Sequence, residues 1–544
     1  MLLAAAALSA QPSLKWARNR NTFLVEPAGQ SMEIELVSAS TFRVRRGVPG
    51  PPKRPLADTA VECKATDTAA GLRLETAELA IEITREGGLV RVSLPAGLSL
   101  YSEARTGIGE GKALLEMESP ATEKYYGFGP RAEAQIDARG LLLQPKPAFF
   151  VSSRGYAFWI GTPARFTFDV ARSEPDRVVI RGEGLERMEY YFAFGPSLKE
   201  IWDERMKVEP VPGSPSASEY ELLFHKRLPK AAMPVGSSSS DGAAMLCGDA
   251  RALVHASLSG VLLPAFDLGR YRDADDAVFR RAAGLGVFAP VLYDSSATLY
   301  TDVKAGIVEE TRQFRRRLSH FLLTYADEAR ARGYPVLHPL LHQYPRDPEA
   351  GGHIDAFLFG DELLLAPACD GAASREVYLP MGTWTEWHSG KIHTGRRRAV
   401  VAAAGNGVAM LARNGTIVPL AGIKPGDPTE LHYFPKLGAE FFLYEPAVYD
   451  YSQAHASPAA DIYRLEMESK VARGYEWVVH HTDRPAQVLL VGGDALKEVS
   501  ASEGLRPGQW RYDAGHRTIH AAIYAPAHSD VILNIEFPSV SKPH

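Results

Sequence analysis

Cysteine, basic charge and long apolar runs are all scarce in this chain of 544 residues. Its cysteines, Cys63, Cys247 and Cys369, are odd in number and widely separated, which favours neither a disulfide framework nor a zinc site. Lysine and arginine total 60 against 65 aspartates and glutamates, so no basic face is predicted and we expect no nucleic-acid partner. Beyond the N-terminus no apolar stretch approaches the ~20 residues that a bilayer-spanning helix needs, so we expect no membrane partner.

The first residues form an exception to this scarcity of apolar runs. Residues 1–10 are apolar and end on small side chains before Gln11. The pattern is typical of a signal-peptide core and its cleavage site, although the basic segment that normally precedes such a core is missing. We therefore predict a signal segment over residues 1–10 and a secreted or periplasmic protein, with an ordinary apolar N-terminus as the alternative.

The rest of the composition is that of a globular protein, with 45% hydrophobic and 23% charged residues. At this length several domains are expected. Residues 11–210 consist mostly of short runs in which apolar and polar residues alternate, and a long series of such runs predicts an antiparallel β-sandwich. A linker rich in proline, glycine and serine follows at residues 211–216, and a serine-rich loop at residues 235–242.

Helical patterns follow the loops. We interpret residues 258–266 as a buried strand that delivers Asp267 at its carboxyl end. Across residues 311–332 apolar side chains recur at three- and four-residue spacing, which predicts one helix that Gly333 ends and that carries Arg315 on its solvated side.

Strands return in the last third of the chain. The order of patterns predicts an α/β domain over residues 211–352 and then two β-sandwiches, over residues 353–440 and residues 441–544. The predicted fold class is therefore multidomain β plus α/β.

Several motifs, taken with this domain order, resemble glycoside hydrolase family 31. They are Tyr126-Gly127-Phe128-Gly129 with the aspartate turn after it, the segments 149–156, 191–201 and 326–348, and the segment 357–384. The resemblance implies an N-terminal β-sandwich, a (β/α)8 barrel and two C-terminal β-sandwiches. It also implies hydrolysis of α-glucosides or α-xylosides, with a carbohydrate as the substrate or ligand and with no cofactor.

The barrel is where this chain departs from the family. Only about 110 residues separate Val211 from His320, whereas a complete barrel averages ~250 residues. We therefore expect a partial (β/α)8 barrel. Hydrolysis with retention needs two carboxylates about 5 to 5.5 Å apart. The W-x-D-M-x-E type strand end, where the family has its nucleophile, does not occur between Val211 and Asp267, and Asp203 fits a solvated carboxylate on the helix that leads into the barrel.

Asp267 is the candidate that best matches the family pattern. It corresponds to the aspartate of the family's D-x-G-G-F strand end, although Arg270 and Tyr271 replace the last glycine and the phenylalanine. We predict a catalytic or substrate-binding role for it, with a structural carboxylate in the loop at the strand end as the alternative. Arg281 matches the first arginine of the family's R-W-x-Q-x-G-A-F-x-P-x-x-R-x-H run and is a second substrate-binding candidate, whereas Ser295 replaces the final histidine, which lines the family's sugar pocket.

The family's acid/base aspartate has no certain counterpart. When the family's W-x-G-D turn is aligned upstream of Gly260 without a gap, Ser238 occupies the position of that aspartate. A gap of a few residues places Asp241 there instead. Asp241 is therefore the second catalytic candidate, with a turn residue as the alternative. Asp249 follows a glycine as the acid/base residue does, but it lies too close to Gly260.

Two other patterns favour structural roles. His338, His342 and His353 lack the spacing of a known metal site, so we expect no metal. Trp384 and Trp387 are predicted to pack rather than to bind sugar.

The function that the resemblance implies is that of a family 31 homologue with lost or impaired α-glycosidase activity. Three alternatives stay open. One is an active glycosidase, another is a non-catalytic carbohydrate-binding protein, and the third is a deletion that leaves unpaired strand edges and an unstable product. The sequence leaves the oligomeric state undetermined.

Overall fold

The computed structural model describes residues 14–27, 31–47, 56–57, 59–209, 228, 232–239, 241–296, 300–403, 405–424, 426–500 and 504–538. The predicted signal segment and the predicted linker at residues 211–216 lie outside the described residues. The chain divides into two compact units. The first comprises Met1–Gly129 and Asp137–Pro210, and the second comprises Pro130–Ile136 and Val211–His544.

Antiparallel strands build the first unit, as the alternating pattern predicts. They are β1 (Lys15–Asn19), β2 (Thr22–Glu26), β3 (Met32–Leu36), β4 (Thr41–Gly47), β5 (Lys64–Asp67), β6 (Gly71–Glu75), β7 (Ala80–Thr84), β8 (Val90–Ser93), β9 (Ser99–Gly109), β10 (Lys112–Glu118), β11 (Tyr125–Gly127), β12 (Leu141–Leu143), β13 (Phe149–Ser152), β14 (Tyr156–Ile160), β15 (Phe166–Val170), β16 (Arg177–Glu183) and β17 (Arg187–Phe194). Sheet A has the order β1-β2-β3-β4-β17-β14-β13-β11, and sheet B has the order β12-β15-β16-β10-β9-β8-β7-β6-β5.

Alternation along these strands creates the core between the two sheets. On β2, Phe23 and Val25 are fully buried whereas Leu24 between them is 48% exposed. Rings from the two sheets meet in the same core, where Tyr101 of sheet B stacks on Phe158 of sheet A with centroids 6.1 Å apart. The sheets therefore pack face to face as a β-sandwich.

The first unit ends with helix α1 (Leu198–Val208). Ser197 and Glu200 form a capping box at its start, which satisfies backbone N–H groups that have no partner within the helix. Trp202 on this helix is 1% exposed and stacks on Phe149 at 5.4 Å. Asp203 is half-buried on the same helix, so the helical lead-in that the sequence predicts is present.

The second unit begins with strands and helices in alternation. They are β18 (Met233–Pro234), α2 (Gly242–Leu258), β19 (Pro264–Asp267), α3 (Asp276–Gly286), β20 (Val291–Tyr293), α4 (Asp302–Arg317) and α5 (Ser319–Arg332). The strands form sheet C, in which β19 lies between β18 and β20 and pairs with both in parallel. The strand predicted over residues 258–266 is wrong in its first half, because Leu258 ends α2 and the strand begins at Pro264.

The helix predicted over residues 311–332 is also wrong in its bounds. Two helices occupy the region, and they meet at Leu318, which ends α4 and precedes α5. Gly333 ends α5 with a φ of 73°, a left-handed conformation that glycine adopts without strain.

The prediction that Arg315 faces solvent is wrong. The residue is 2% exposed, and its guanidinium donates hydrogen bonds to the carbonyls of Val287, Ala289 and Pro290. These carbonyls follow the C-terminus of α3, where backbone acceptors lack intrahelical partners and a cation is favoured.

The remaining part of the second unit is mostly strand. Its elements are β21 (Leu337–Pro339), α6 (Leu340–Gln343), β22 (Phe357–Phe359), β23 (Leu363–Pro367), β24 (Ser374–Leu379), β25 (Thr383–Glu386), β26 (Ile392–Thr394), β27 (Arg397–Ala402), β28 (Val408–Arg413), β29 (Thr416–Leu420), β30 (Thr429–Phe434), β31 (Ala439–Glu445), β32 (Asp450–Pro458), β33 (Ile462–Ser469), β34 (Arg473–Val479), β35 (Gln487–Leu490), β36 (Lys497–Glu498), β37 (Gln509–Asp513), β38 (Thr518–Ala525) and β39 (Ser529–Glu536). The predominance of strands agrees with the predicted class.

These strands form three larger sheets and one pair. Sheet D has the order β21-β22-β23-β28-β25-β26, sheet E the order β29-β30-β34-β38-β37-β36, and sheet F the order β31-β32-β33-β39-β35, while β24 pairs with β27. Sheet E thus takes strands from both sides of residue 440. No helix in the described part of the chain combines the length and the apolar character needed to cross a bilayer.

A disulfide links two of the three cysteines. It joins Cys247 on α2 to Cys369 after β23, and the prediction that the cysteines favour no disulfide is therefore wrong for this pair. The two residues are 122 positions apart, so nothing in their local spacing indicates that they meet. Cys63 is a free thiol.

Candidate functional site

The three strands of sheet C end at one edge of that sheet, because they are parallel. In α/β proteins this edge is where functional side chains gather. We define the strand-end site as the loop of residues 235–239 after β18, the turn Leu268–Tyr271 after β19, residues 294–296 after β20, and the side chains that contact them.

Asp267 ends β19 and is 5% exposed. One of its carboxylate oxygens accepts hydrogen bonds from the backbone N–H groups of Gly269 and Ser295, each at 3.0 Å. The hydroxyl of Tyr293 also bonds to this carboxylate. Burial and the nearby negative charge of Asp267 raise the pKa of Tyr293 to about 12. Asp267 therefore holds together the backbone segments that follow β19 and β20.

Gly269 is needed at this crossing for a steric reason. A β-carbon at this position would lie 2.5 Å from the backbone nitrogen of Ser296 and 2.7 Å from Oδ1 of Asp294. No real β-carbon approaches other atoms so closely. The glycine thus permits the close approach of the two segments that share the Asp267 carboxylate.

A second buried carboxylate lies in the strand-end site. Asp249 on α2 is 0% exposed. Its Oδ1 accepts the backbone N–H of Ser237, and its Oδ2 accepts Nη1 of Arg270 at 2.7 Å and the hydroxyl of Tyr271 at 2.8 Å. The other terminal nitrogen of Arg270 donates to the carbonyl of Ser237. One ion pair thus joins α2 to the segments after β18 and β19.

The electrostatics of this ion pair follow from its burial. Burial raises the pKa of Asp249, and the hydrogen bonds and the charge of Arg270 offset only part of that rise. Burial and the neighbouring carboxylate also raise the pKa of Tyr271, so its hydroxyl remains a donor. The cluster is therefore a satisfied buried network, in which the Asp249 carboxylate has no surface exposed to a ligand.

The predicted site residues Asp241, Asp267 and Arg281 have no contact in common within the residues that the structure describes. Asp241 is exposed and is the N-cap of α2, where its side chain accepts the backbone N–H of Ala244 at 2.8 Å. This contact is the common role of an aspartate before a helix. A catalytic role for Asp241 stays a prediction.

Arg281 lies on α3 and faces the loops that flank sheet D. A β-carbon at Gly371 would lie 3.2 Å from Nη1 of Arg281, and one at Gly407 would lie 2.5 Å from its Cγ. The contacts of Arg281 are thus with a different surface from the strand-end loops that Asp267 holds. A substrate-binding role for Arg281 also stays a prediction.

The histidines considered as metal ligands have other partners. Nδ1 of His338 lies 3.0 Å from the Pro335 carbonyl, and its ring lies 4.4 Å from that of His342. His353 stacks on Tyr378 at 5.0 Å. Among the described residues there is no cluster of three histidine, cysteine, aspartate or glutamate side chains arranged to hold a metal ion.

Asp249 and Arg270 are the site residues whose roles the sequence did not reveal. Motif alignment set Asp249 aside because it lies only 11 positions before Gly260. Arg270 could have indicated this role, because it is a charged residue at a position where the family pattern has glycine. A buried charge needs a partner, and Asp249 is that partner.

Comparison with known proteins gives this arrangement a family. Residues 333–418 match the family model described as the glycosyl hydrolase family 31 C-terminal domain. An isomaltosyltransferase of Sporosarcina globispora is 25% identical over 321 residues, which cover 51% of this chain and 29% of that protein. Alpha-glucosidase 2 of Bacillus thermoamyloliquefaciens is 24% identical over 228 residues, which cover 39% of this chain and 28% of that protein. The matched part therefore spans less than a third of either relative.

Similarity of fold extends over nearly the whole chain. One similar structure is a GH31 dextranase of Flavobacterium johnsoniae, solved as a variant in complex with isomaltotriose. It matches this chain with a TM-score of 0.78 at 13% identity, and the match covers 96% of this chain and 99% of the dextranase chain. The protein is thus a glycosidase-like chain of several β domains. The family model, the sequence relatives and the shared fold together support assignment to glycoside hydrolase family 31.

Proposed function

We propose that this chain is a family 31 homologue whose hydrolytic activity toward α-glucosides and α-xylosides has been lost or reduced. The state of Asp249 carries the proposal. A retaining glycosidase needs two carboxylates that both face the sugar, about 5 to 5.5 Å apart. Asp249 is fully buried, and both of its oxygens accept hydrogen bonds from Ser237, Arg270 and Tyr271. Its chemistry is that of an ion-pair partner.

Asp267 supports the same proposal. A nucleophile needs an accessible oxygen, but this residue is 5% exposed and its carboxylate bonds to Gly269, Ser295 and Tyr293. These bonds lower the energy of the folded loop arrangement. A sugar that competed for the carboxylate would have to displace them.

We interpret sheet C as the remaining part of a (β/α)8 barrel. The order β18, α2, β19, α3, β20 is that of consecutive βα units with parallel strands. A complete barrel has eight such strands, and its catalytic residues come from the ends of several of them. In the described part of the chain sheet C has three strands, so it presents fewer strand ends than a complete barrel, which supports the loss of a catalytic group.

Hydrolysis assays test this proposal directly. We expect purified protein to release no p-nitrophenol from aryl α-glucosides or aryl α-xylosides. Variants Asp267→Asn and Asp241→Asn should then match the wild type. Turnover that survives Asp267→Asn and is abolished by Asp241→Asn would refute the proposal and assign the acid/base role to Asp241.

The second candidate function is non-catalytic carbohydrate binding. Exposed polar groups at the strand-end site favour it, since Ser295 is exposed and Ser296 and Tyr300 beside it are half-buried, with their hydroxyls 3.4 Å apart. The related dextranase was solved with isomaltotriose. Calorimetric titration with glucose, xylose and short α-glucans should give saturable heat that Ser296→Ala weakens. A flat response to every sugar would remove this candidate.

We also propose a secreted or periplasmic location. The bond between Cys247 and Cys369 supports it, because disulfides persist in oxidising compartments and are rare in the cytosol. Expression of the full chain followed by fractionation should recover it outside the cytosol with only Cys63 reactive toward a thiol reagent. Recovery in the cytosol with three reactive thiols would contradict this.

A further inference from the structure

One face of sheet E carries a connected set of histidine and carboxylate side chains. Glu430, His432 and Phe434 are alternate residues of β30 and so share a face. β34 pairs with β30 in parallel, and His480 follows β34 directly. Nδ1 of His432 lies 2.9 Å from Nε2 of His480, and Nε2 of His432 lies 2.8 Å from Oε2 of Glu430. Arg317 donates to the same Glu430 oxygen at 2.5 Å.

The positions of the protons in this chain follow from the chemistry of its groups. Burial alone would raise the pKa of Glu430, but the hydrogen bond from His432 and the charge of Arg317 lower it, so Glu430 is an acceptor. Nε2 of His432 must therefore donate to Glu430. Its Nδ1 then carries a lone pair and accepts the N–H of His480. The pair is bonded in this way only while both imidazoles are neutral or His480 alone is charged.

Aromatic packing connects this pair to sheet D. Trp387 lies in the turn between β25 and β26, and its ring is 5.2 Å from that of His432 and 5.5 Å from that of Phe434. His480 stacks flat on Phe434 at 4.3 Å. In the same turn, a β-carbon at Gly390 would lie 2.8 Å from the ring of His481. The turn of residues 387–391 thus rests on the histidine-bearing face of sheet E.

Other charged groups surround the pair. His520 on β38 is opposite Val478 of β34 and bonds to Glu476 at 2.7 Å. His481, His516 and His520 add positive charge near His480 when they are protonated, and Arg517 adds positive charge near His481, so further charge is disfavoured there. Glu430 is the anion nearest to His432, so the proton gained in acid is held best at His432.

We infer that the hydrogen-bonded pair His432–His480, anchored through Glu430 to Arg317, is an acid-sensitive latch that holds the turn of residues 387–391 of sheet D on sheet E. A single proton leaves the contact in place, because a neutral His480 can carry its own proton on Nδ1 and accept from the His432 imidazolium through Nε2. When both imidazoles are protonated, two N–H groups and two positive charges face each other across 2.9 Å. The His432 imidazolium keeps its ion pair with Glu430, whereas the buried His480 has no acceptor at His432, which favours opening of the contact.

The pH at which the latch opens lies below the ordinary titration range of histidine. Burial lowers the pKa of His432, although Glu430 raises it in part, and burial lowers the pKa of His480 further. The latch is therefore closed at neutral pH. It opens only at a pH well below 6.5, the ordinary value for a histidine side chain, because opening requires the proton on His480.

Hydrogen exchange of the full-length protein between pH 7.5 and pH 4.0 tests the latch. After correction for the intrinsic pH dependence of exchange, the peptide that covers residues 383–394 should lose about tenfold of its protection on acidification. In His480→Leu the protection should be low and equal at both ends of the range, because the pair is absent. In the matched control His455→Leu, which removes an exposed histidine paired with Glu440 at 3.2 Å, the wild-type response should persist.

A conservative variant keeps the inference falsifiable if His480→Leu fails to fold. The amide oxygen of Glu430→Gln can still accept from His432 but cannot stabilise an imidazolium, so the opening midpoint should move to lower pH by about one unit. Wild-type protection that does not change with pH would overturn the latch. A wild-type response in His480→Leu, or an unchanged midpoint in Glu430→Gln, would overturn it as well.

Discussion

The ion pair between Asp249 and Arg270 offers the sharpest test of how the strand-end site is built. If it is a structural network, then removal of one charge should destabilise the fold, and removal of the second should restore part of the loss. We compare Arg270→Met, Asp249→Asn and the double variant. The double variant should be more stable than Arg270→Met alone.

The magnitude follows from burial. Loss of one partner from a buried ion pair costs ~3–5 kcal/mol, because the remaining charge is left without compensation. The Arg270 side chain is 26% exposed while that of Asp249 is 0% exposed. Water therefore reaches the guanidinium but not the carboxylate, and we expect Arg270→Met to cost about 3 kcal/mol. Replacing Asp249 by asparagine in that background removes the unpaired charge, keeps one amide oxygen that accepts from Ser237 and lets the amide NH2 group donate to the Tyr271 hydroxyl, which should recover about 1–2 kcal/mol.

The assay is urea unfolding followed by tryptophan fluorescence, with slopes compared among variants. The matched control is the pair Arg251 and Asp355, which lies in the same unit with side chains 25% and 43% exposed. For this more exposed pair, the effects of Arg251→Met and Asp355→Asn on the free energy of unfolding should be additive to within about 1 kcal/mol. If Asp249→Asn lowers the stability of Arg270→Met further, the description of Asp249 as a buried structural partner is incorrect.

Three further predictions concern the second unit. Burial raises the pKa of Glu362 from 4.5 to about 8, and the charge of Asp361 adds to the rise, so the folded state holds a proton that the unfolded state releases. The free energy of unfolding should therefore fall as the pH rises from about 4.5 to 8. Thermal melts at a series of pH values should show a flatter dependence for Glu362→Gln. A profile for Glu362→Gln that is as steep as the wild type would contradict this. Arg315→Met should lower the free energy of unfolding by about 3 kcal/mol, because it leaves several buried carbonyls unpaired, whereas the exposed Arg312→Met should change it by less than about 0.5 kcal/mol. Cys247→Ser should lower the free energy of unfolding by about 4 kcal/mol, because the disulfide closes a loop of more than a hundred residues. Reduction of the wild-type protein should reproduce this loss. Equal stability of the oxidised and reduced proteins would exclude the effect.

Sequence reasoning works best for the strands, because their signal is local. Alternation along Met32–Leu36 predicts that its apolar residues are buried, and the observed burial of Met32, Ile34 and Leu36 matches it. A strand needs only its own residues and a neighbouring sheet to express this pattern. The predicted class, multidomain β plus α/β, follows from many such local patterns.

The errors concern features that depend on distant partners. Apolar spacing continues across Leu318, so periodicity could not reveal that two helices meet there. Arg315 resembles a solvated charge because its acceptors lie 25 to 28 positions away in the chain. The disulfide spans 122 positions. In each case the deciding interaction is between segments that the sequence does not place together.

The strand-end site was predicted in part. Asp267 was expected at the carboxyl end of a buried strand, and a buried strand does end there, although it begins later than predicted. The motif also points to Arg270 as unusual. It does not show that Arg270 is folded back onto α2, because this requires the position of Asp249 relative to the turn. A charged residue in place of a glycine thus indicates that an oppositely charged partner exists, but it does not indicate which residue that partner is.

The bond between Cys247 and Cys369 closes the intervening chain into a covalent ring that includes β19, α3, β20, α4 and α5. A protease that cuts once within this ring opens it without releasing a fragment. Such a nicked molecule runs as a single species on a non-reducing gel and separates into two pieces only after reduction. The ring therefore keeps the helical segment and the start of sheet D on one molecule after backbone cleavage.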